Sequence, residues 1–375
     1  MTGGVRLTLM IGPGVPIPVP REVLDALQSV SVTINSAQIS VFELKFTISN
    51  RSLLHTVFLL SGGSSIPMMR VVIVATVNGT PHVLMDGVMT EHFISPGSDS
   101  GHSTLVVKGD DLTRLMEYVD STGTPYPAMP IVARVALILA KYAALGIVPL
   151  VIPPIMFEVP IPTDQIPSQM GNDLDYLKAL AAETGYVFYL DPGPIPGQSI
   201  AYWGPQIRVG VPQHALNTNM DSHTNVEEMS FTFTSDDYRL PVLMIQNKKS
   251  KVSIPIPIPN VSPLHPPLAL IPSIPKGITY IESTAKFSAI TAALKGIAQA
   301  SHASDTVHGE GTLDVVRYGH VLKPRGLVGV RGAGMAFDGL YYVDSVTHDI
   351  QRGEYKQKFS LVRNGLVSTV QKVVA

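Results

Sequence analysis

The chain contains no cysteine, and that single absence removes disulfides, thiolate zinc sites, Fe–S clusters and cysteine nucleophiles together. Assembly in a cytoplasm fits it. Charge is also scarce: Asp, Glu, Lys and Arg make up 15% of 375 residues, against 45% hydrophobic residues, and the mean hydropathy is +0.24. So few charges cover the exterior of a soluble monomer poorly, which leaves membrane segments or surface buried against other subunits. Long apolar runs are missing too. The best, 131–154, is interrupted by Arg134 and Lys141 and broken by Gly146, Pro149, Pro153 and Pro154, so no span of about 20 apolar residues survives to cross a bilayer. The N-terminal stretch MTGGVRLTLMIGPGVPIP has no basic region followed by an apolar run and a cleavage site, and no signal peptide is expected. With a net charge of −2, and no basic run longer than Lys248-Lys249-Ser250-Lys251, a surface that wraps nucleic acid is not expected. Aromatics amount to 7% and do not interleave with basic residues, which disfavours stacking on single strands.

The motifs of catalysis are absent as well. There is no P-loop, no Gly-x-Ser-x-Gly elbow and no His-Glu-x-x-His. Gly332-Ala333-Gly334 lacks the third glycine of a nucleotide fingerprint, because Phe337 stands in its place. His302 and His308 are spaced for neither a helical nor a knuckle zinc site. The acidic pairs Asp110-Asp111, Glu227-Glu228 and Asp236-Asp237 fall at element boundaries, where capping and solvation account for them. No cofactor, metal or catalytic residue is expected.

What is present is mostly β pattern. Val5, Leu7, Leu9 and Ile11 alternate with other residues, as do Phe42, Leu44, Phe46 and Ile48. Asn78-Gly79, between β-rich runs, predicts a type I′ hairpin. Roughly six strands over the first hundred residues suggest a small closed or half-open barrel. Helical spacing then takes over, in a short segment after Asp110-Asp111, in 129–142, and in a helix opened by Asn172-Asp173 and stopped at Gly185. Strands resume at 186–190, 200–203 and 229–233. Two proline-rich stretches, 149–167 and 254–275, carry Ile, Val and Leu between the prolines. Proline at this density excludes helix and central strand, so these arms are expected to lie extended on a surface, their own subunit's or a neighbour's. A last helix is expected from Thr284 to about Ala300. Residues 319–365 read as three strands joined by two glycine-bearing turns. In the second strand Val343, Ser345, Thr347 and Asp349 share one face, and Tyr342, Val346, His348 and Ile350 the other.

That C-terminal stretch carries a resemblance. Val321-Leu322 with Pro324, Val328-Gly329-Val330, Gly332-Ala333-Gly334, Phe337-Asp338-Gly339, Tyr342-Val343, Val346-Thr347-His348, Gly353-Glu354-Tyr355 and Phe359-Ser360-Leu361 follow one another as in the phage late control D proteins. These are baseplate hub proteins of contractile tails and are similar to the first part of the VgrG spike. One departure is Pro324-Arg325-Gly326, where glycine would be expected directly after proline. Asp173-Leu174-Asp175-Tyr176-Leu177, Leu180-Ala181-Ala182-Glu183-Thr184-Gly185 and Val187-Phe188 are similar to the same family. The resemblance covers about the last two thirds well and the first third in pattern only.

The resemblance implies a mainly β fold with inserted helices (α+β), in which two tube-type β-barrel-like domains form a ring as a trimer. The expected division is a first barrel-like domain (1–109), a helical insertion with a Pro-rich segment (110–185), strands of the second barrel (186–253), a Pro-rich arm (254–277) and a helix plus closing strands (278–375). The implied role is a homotrimeric structural hub that joins a sixfold tail tube to a threefold spike around a central channel. Its partners would be a spike protein, tail tube or tube-initiator proteins, baseplate wedge proteins and the tape measure, with no sequence-specific nucleic acid. Since the chain ends at Ala375, the spike is expected to be a separate polypeptide. The expected location is a virion tail baseplate or contractile injection particle. The hairpin residues Phe337, Asp338, Gly339, Tyr341 and Tyr342 are candidates for a subunit interface, with an internal hairpin as the other reading. Two other functional classes remain: a tail-associated cell-wall hydrolase, and a monomeric carbohydrate-binding module that would show Trp203 and several tyrosines in a surface groove.

Overall fold

A computed structural model describes residues 4–36, 38–48, 68–96, 103–154, 159–163, 166–234, 238–246, 253–257, 264–280 and 305–370. The helix expected at 284–300, together with His302, Asp236-Asp237, the Lys248–Lys251 run and parts of both proline arms, lies outside them. The N-terminal half supplies β1 (Val5–Pro13), β2 (Ile17–Pro18), helix α1 (Arg21–Ala26), β3 (Leu27–Asn35), β4 (Val41–Ile48), β5 (Met69–Val77), β6 (Thr80–Pro96) and β7 (Ser103–Asp111). A helical layer follows, with α2 (Arg114–Glu117), α3 (Ile131–Ala140), β8 (Ile147–Val151), α4 (Asp173–Thr184), β9 (Val187–Pro192) and β10 (Ser199–Gly204). The C-terminal half contains β11 (Gln213–Asn217), β12 (Val226–Phe233), β13 (Arg239–Gln246), β14 (Ser253–Pro257), β15 (Ala269–Pro272) and β16 (Gly277–Tyr280). It ends with β17 (Val307–Asp314), α5 (Val315–Tyr318), β18 (Leu327–Arg331), β19 (Gly339–Gln351), β20 (Glu354–Arg363) and β21 (Gly365–Ser368).

The expected local signals appear where the chain chemistry places them. Asn78 and Gly79 have φ of 49° and 83°, the left-handed pair that a type I′ turn requires. The Asn172 side chain accepts from the Asp175 amide to open α4, and Gly185 at φ 72° closes it. Ile131, Val135, Ile138 and Leu139 form the buried stripe of α3. With α4 and β8–β10 they enclose a second core around the fully buried Trp203.

The fold is mainly β with inserted helices, but the barrels are corrected. Thirteen strands form one sheet in the order β12-β17-β20-β19-β3-β4-β7-β6-β5-β1-β2, with β18 on β19 and β11 on β18, and no sheet closes among the described residues. A barrel of the first strands would need β1 to bond β3. Instead both edges of β3 are occupied, one by β4 and the other by β19. The strand that would have closed one barrel therefore joins the two halves, and a single core runs through both.

β19 makes this join by changing partner midway. Gly339 to Tyr342 pair with β18, and Ser345 to Gln351 pair with β3. A bulge falls between Val343 and Ser345 in its pairing with β20, and Asp344, the extra residue, takes the Ser36 amide on its carbonyl at 2.8 Å and the Ser36 hydroxyl on its carboxylate. The bulge also corrects the expected faces. Val343 lies in the main core with Val346 and Ile350, whereas Tyr342 packs in a separate cluster with Leu268, Leu327, Leu340 and Val362.

The second proline arm lies partly along its own subunit. β15 pairs with β21, and the Asn364 side chain accepts from the Leu268 and Ala269 amides at 3.0 and 3.1 Å. Leu270, Ile271 and Ile274 nonetheless remain exposed.

His348 is buried in the main sheet, with Nδ1 2.8 Å from the Tyr355 hydroxyl and 3.3 Å from Gln357 Nε2. Burial pushes its pKa down to about 3; Asp349 opposes the shift and His82 adds to it. The unfolded chain, with an ordinary histidine near 6.5, binds more protons than the folded chain between those values. Stability should therefore fall by about 1.4 kcal/mol per pH unit as pH drops from about 6.5 towards 3. Urea unfolding as a function of pH checks this: His348→Gln, which cannot charge, should flatten that limb.

Candidate assembly surface

The turn 332–338 is built around a buried cation. Arg363 is fully buried in β20, with Tyr341 on the facing β19 and its guanidinium 4.4 Å from the Tyr341 ring centre. It donates to Gly365 O at 2.9 Å, Asp338 O at 2.9 Å and Ala336 O at 2.7 Å. Desolvation lowers its pKa. The turn is tied further by the Asp338 carboxylate, which accepts from the Ala333 amide at 2.7 Å, and by the Tyr341 hydroxyl, which donates to Phe337 O at 2.7 Å. Gly339, at φ 117°, has no room for a side chain, since a Cβ there would lie 2.0 Å from Ser368 Cβ.

The candidate interface residues are therefore placed as follows. Tyr341 and Tyr342 are buried within the chain, Tyr342 under the Arg208 guanidinium at 4.7 Å, which is itself held in a two-point pair with Asp305 at 2.7 and 2.6 Å. Phe337 is half-buried and stacks on Phe231 of β12 at 5.3 Å. Asp338 and Gly339 are committed to the turn itself. The group this hairpin presents outward is Met335, 85% exposed.

The position where arginine stands in place of the expected glycine also resolves. Arg325 adopts φ 62°, a left-handed conformation that glycine takes without strain. Its guanidinium offsets the strain, bonding Asp191 at 2.6 Å and Asn35 O at 2.6 Å while lying 3.8 Å from the Tyr189 ring centre. One side chain thus ties β9 of the helical layer to the end of β3. Asp173 does comparable work inside that layer, accepting from Lys141, Tyr142 and Gln169.

A larger feature had gone unmarked as a site. The eight consecutive strands from β12 to β6 present one polar face, whose hydroxyls bond across strands: Ser31 to Asp349 at 2.8 Å, Thr33 with Thr347 at 3.0 Å, and Ser345 with Ser360 at 2.6 Å. Two adjoining troughs, of about 510 and 350 Å³, lie on it and share Lys358. Each lysine of this face lies beside a carboxylate: Lys45 and Lys108 beside Glu43 (2.9 and 3.6 Å), Lys356 beside Glu227 and Glu354 (3.1 and 2.8 Å), and Lys358 beside Asp349 (3.1 Å). Such exposed pairs add little stability, but they leave the face without an unpaired lysine among the described residues. The signal was present in the alternation Ser29-Ser31-Thr33 and Ser345-Thr347-Asp349; what hid it was that these strands are neighbours.

Both ends of this wall are open among the described residues. β12 pairs only with β17, and the part of β6 beyond Val88 pairs only with β7. Apolar side chains stand exposed at both: Phe233 on β12, and Phe93 and Ile94 on β6. Among the described residues no group of three or more His, Asp or Glu could hold a metal ion, and no helix is long and apolar enough to cross a membrane.

No family model and no curated protein matches the sequence. Solved structures do match. A tail protein from Neisseria meningitidis MC58 superposes with a TM-score of 0.64 at 15% identity, over 97% of this chain and 98% of its own. The 43 kDa tail protein of prophage MuSo2 from Shewanella oneidensis gives 0.62 at 14% identity, over 96% and 98%. An E. coli component of the type VI secretion system, structurally similar to the T4 bacteriophage tail proteins gp27 and gp5, gives 0.54 at 10% identity, over 92% and 77%. The chain has a tail-protein fold. The near-complete coverage means that the helical layer and both halves of the large sheet belong to that fold.

Arg363→Met should destabilise the protein by about 3 kcal/mol, because the buried carbonyls of Asp338 and Gly365 lose the guanidinium as donor and Ala336 O is left with the Val367 amide alone. Chemical denaturation of the variant checks this, and Arg363→Lys should recover only part of the loss, since one ammonium cannot reproduce the planar fork.

Proposed function

We propose that this chain is a structural hub of a contractile tail or contractile injection particle, acting by assembly rather than catalysis. Three copies would form a ring that joins the tail tube to a spike around a central channel. The observation that carries the reading is the eight-stranded wall on a tail-protein fold, with one continuous polar face and two open edges. Wall strands of neighbouring copies would meet at those edges, covering Phe233, Phe93 and Ile94, and the polar face would line the channel. A face of hydroxyls and neutralised lysines offers a passing polymer no cationic hold. The Met335 tip of the 332–338 turn and the exposed apolar arm at Leu270, Ile271 and Ile274 would contact neighbouring subunits or the tube, spike, wedge and tape-measure proteins. Such surfaces suit a chain whose charged fraction is low.

The other readings have less support. The carbohydrate-binding module needed Trp203 at the surface, and Trp203 is fully buried. The hydrolase needed an acid or metal constellation, and the described residues offer none that could hold a metal ion.

Negative-stain imaging and sedimentation of the purified chain at high concentration should show threefold rings with a central hole. The double variant Phe93→Glu/Phe233→Glu should weaken self-association by at least about tenfold while leaving the melting temperature of the monomer unchanged. Compact single particles at every concentration, with a spike protein present as well as absent, would overturn the ring.

A further inference from the structure

A second contact between the two halves of the chain lies away from the β3–β19 seam, and the loop that makes it is held by stacked bases. The tip of the β5–β6 hairpin reaches the loop after α5, where Asn78 Nδ2 donates to Gly319 O at 3.0 Å. In that loop the His320 ring stacks on His214 of β11, with centroids 3.5 Å apart and planes 9° from parallel. Tyr318 stands edge-on to His320 at 6.0 Å. The Gln213 side chain holds the same loop at both ends of its amide, accepting from Lys323 N and donating to Lys323 O at 2.8 Å each. Both stacked imidazoles are exposed to solvent and therefore to its protons.

The groups that face this stack are almost all cationic or basic. Burial, with smaller contributions from Lys323 and His320, holds the pKa of His82, on β6 just beyond the hairpin turn, below the ordinary value. His320 is lowered by burial and by His214. Behind His82 lies the buried His348 of β19, beside which Asp349 is the one carboxylate in play. The charged groups acting on His82 and His320 are Lys323 and histidines. Two neutral imidazoles stack favourably at this distance, but two imidazolium rings repel, and Lys323 and His82 add to the repulsion.

We infer that the His214–His320 stack is a pH-sensitive clasp, closed at neutral pH and opened by acid, on the loop that receives Asn78 of the β5–β6 hairpin. The halves stay joined through β3 and β19 when it opens. What is released is the 319–326 loop and the hairpin tip, so acid loosens this local contact while the common core stays packed. The clasp is independent of the hub reading, since it concerns one chain.

Hydrogen exchange of the full chain at pH 7.5 and 5.5, corrected for intrinsic exchange rates, tests it. Amides in 76–84, 213–217 and 319–325 should lose protection at least about tenfold at the lower pH, while β19 and β20 amides change less. His320→Phe and His214→Phe each keep a stacked ring but cannot take a proton, and either should abolish that local loss. His320→Lys should open the same segments at pH 7.5. Unchanged protection at pH 5.5, or equal acid opening in both phenylalanine variants and the wild type, would overturn the clasp. A loss spread evenly over β19 and β20 would do the same, because it would assign the effect to global unfolding driven by His348.

Discussion

One strand with two successive partners holds this protein together. β19 bonds β18 with its first residues and β3 with its last, and the bulge at Asp344 lets it change from one to the other. Without the extra residue, a continuous register would keep alternate side chains on one face throughout. With it, Tyr342 enters a small cluster of its own, while Val343, Val346 and Ile350 all reach the common core. The same device explains why no barrel closes among the described residues: the edge of β3 that could have met β1 is taken. A continuous core then makes the two halves one packed body.

Three buried arginines of this apolar chain donate to backbone carbonyls. Arg363 serves two carbonyls of the 332–338 turn and that of Gly365 in β21. Arg70 pairs with Asp86 at two points, 2.7 Å each, and reaches Gly197 O at 2.9 Å, tying the turn between β9 and β10 to the first half of the sheet. Arg325 ties β9 to the end of β3. In each case a planar guanidinium meets acceptors from segments distant in sequence, which a lysine could not do with the same geometry. Buried ion pairs are a weak source of net stability; their effect here is to fix which surfaces meet.

The wall face shows the opposite use of charge. Its lysines and carboxylates lie in register across strands and neutralise one another locally, and its hydroxyls bond to one another. Water-facing and without an unpaired lysine among the described residues, it differs from the apolar exterior at Leu270, Ile271, Ile274 and Met335. The buried Trp203 and the interior position of Tyr341 and Tyr342 show that these large aromatic groups serve packing within the chain.

The sequence by itself determined what depends on neighbours a few residues away. The Asn78-Gly79 turn, the Asn172 cap and Gly185 stop, the apolar stripe of α3 and the alternation of β3, β4 and β20 follow from backbone preferences and periodicity. The mixed β and helical character and the absence of a membrane-spanning helix among the described residues follow at the same level. Tertiary structure alone decided the partners. Thr33 and Thr347 are 314 residues apart, and nothing in either strand's alternation says that they meet. The resemblance supplied barrels because each half has strands enough for one; it could not show that β3 would choose β19 over β1. Arg325 read as an anomaly in a turn until Asp191, Asn35 and Tyr189 were seen around it. Pattern fixes which face of a strand is buried, because that is a property of one strand; an edge's partner is a property of two, settled by which pairing buries the most apolar surface while leaving the fewest backbone groups unpaired.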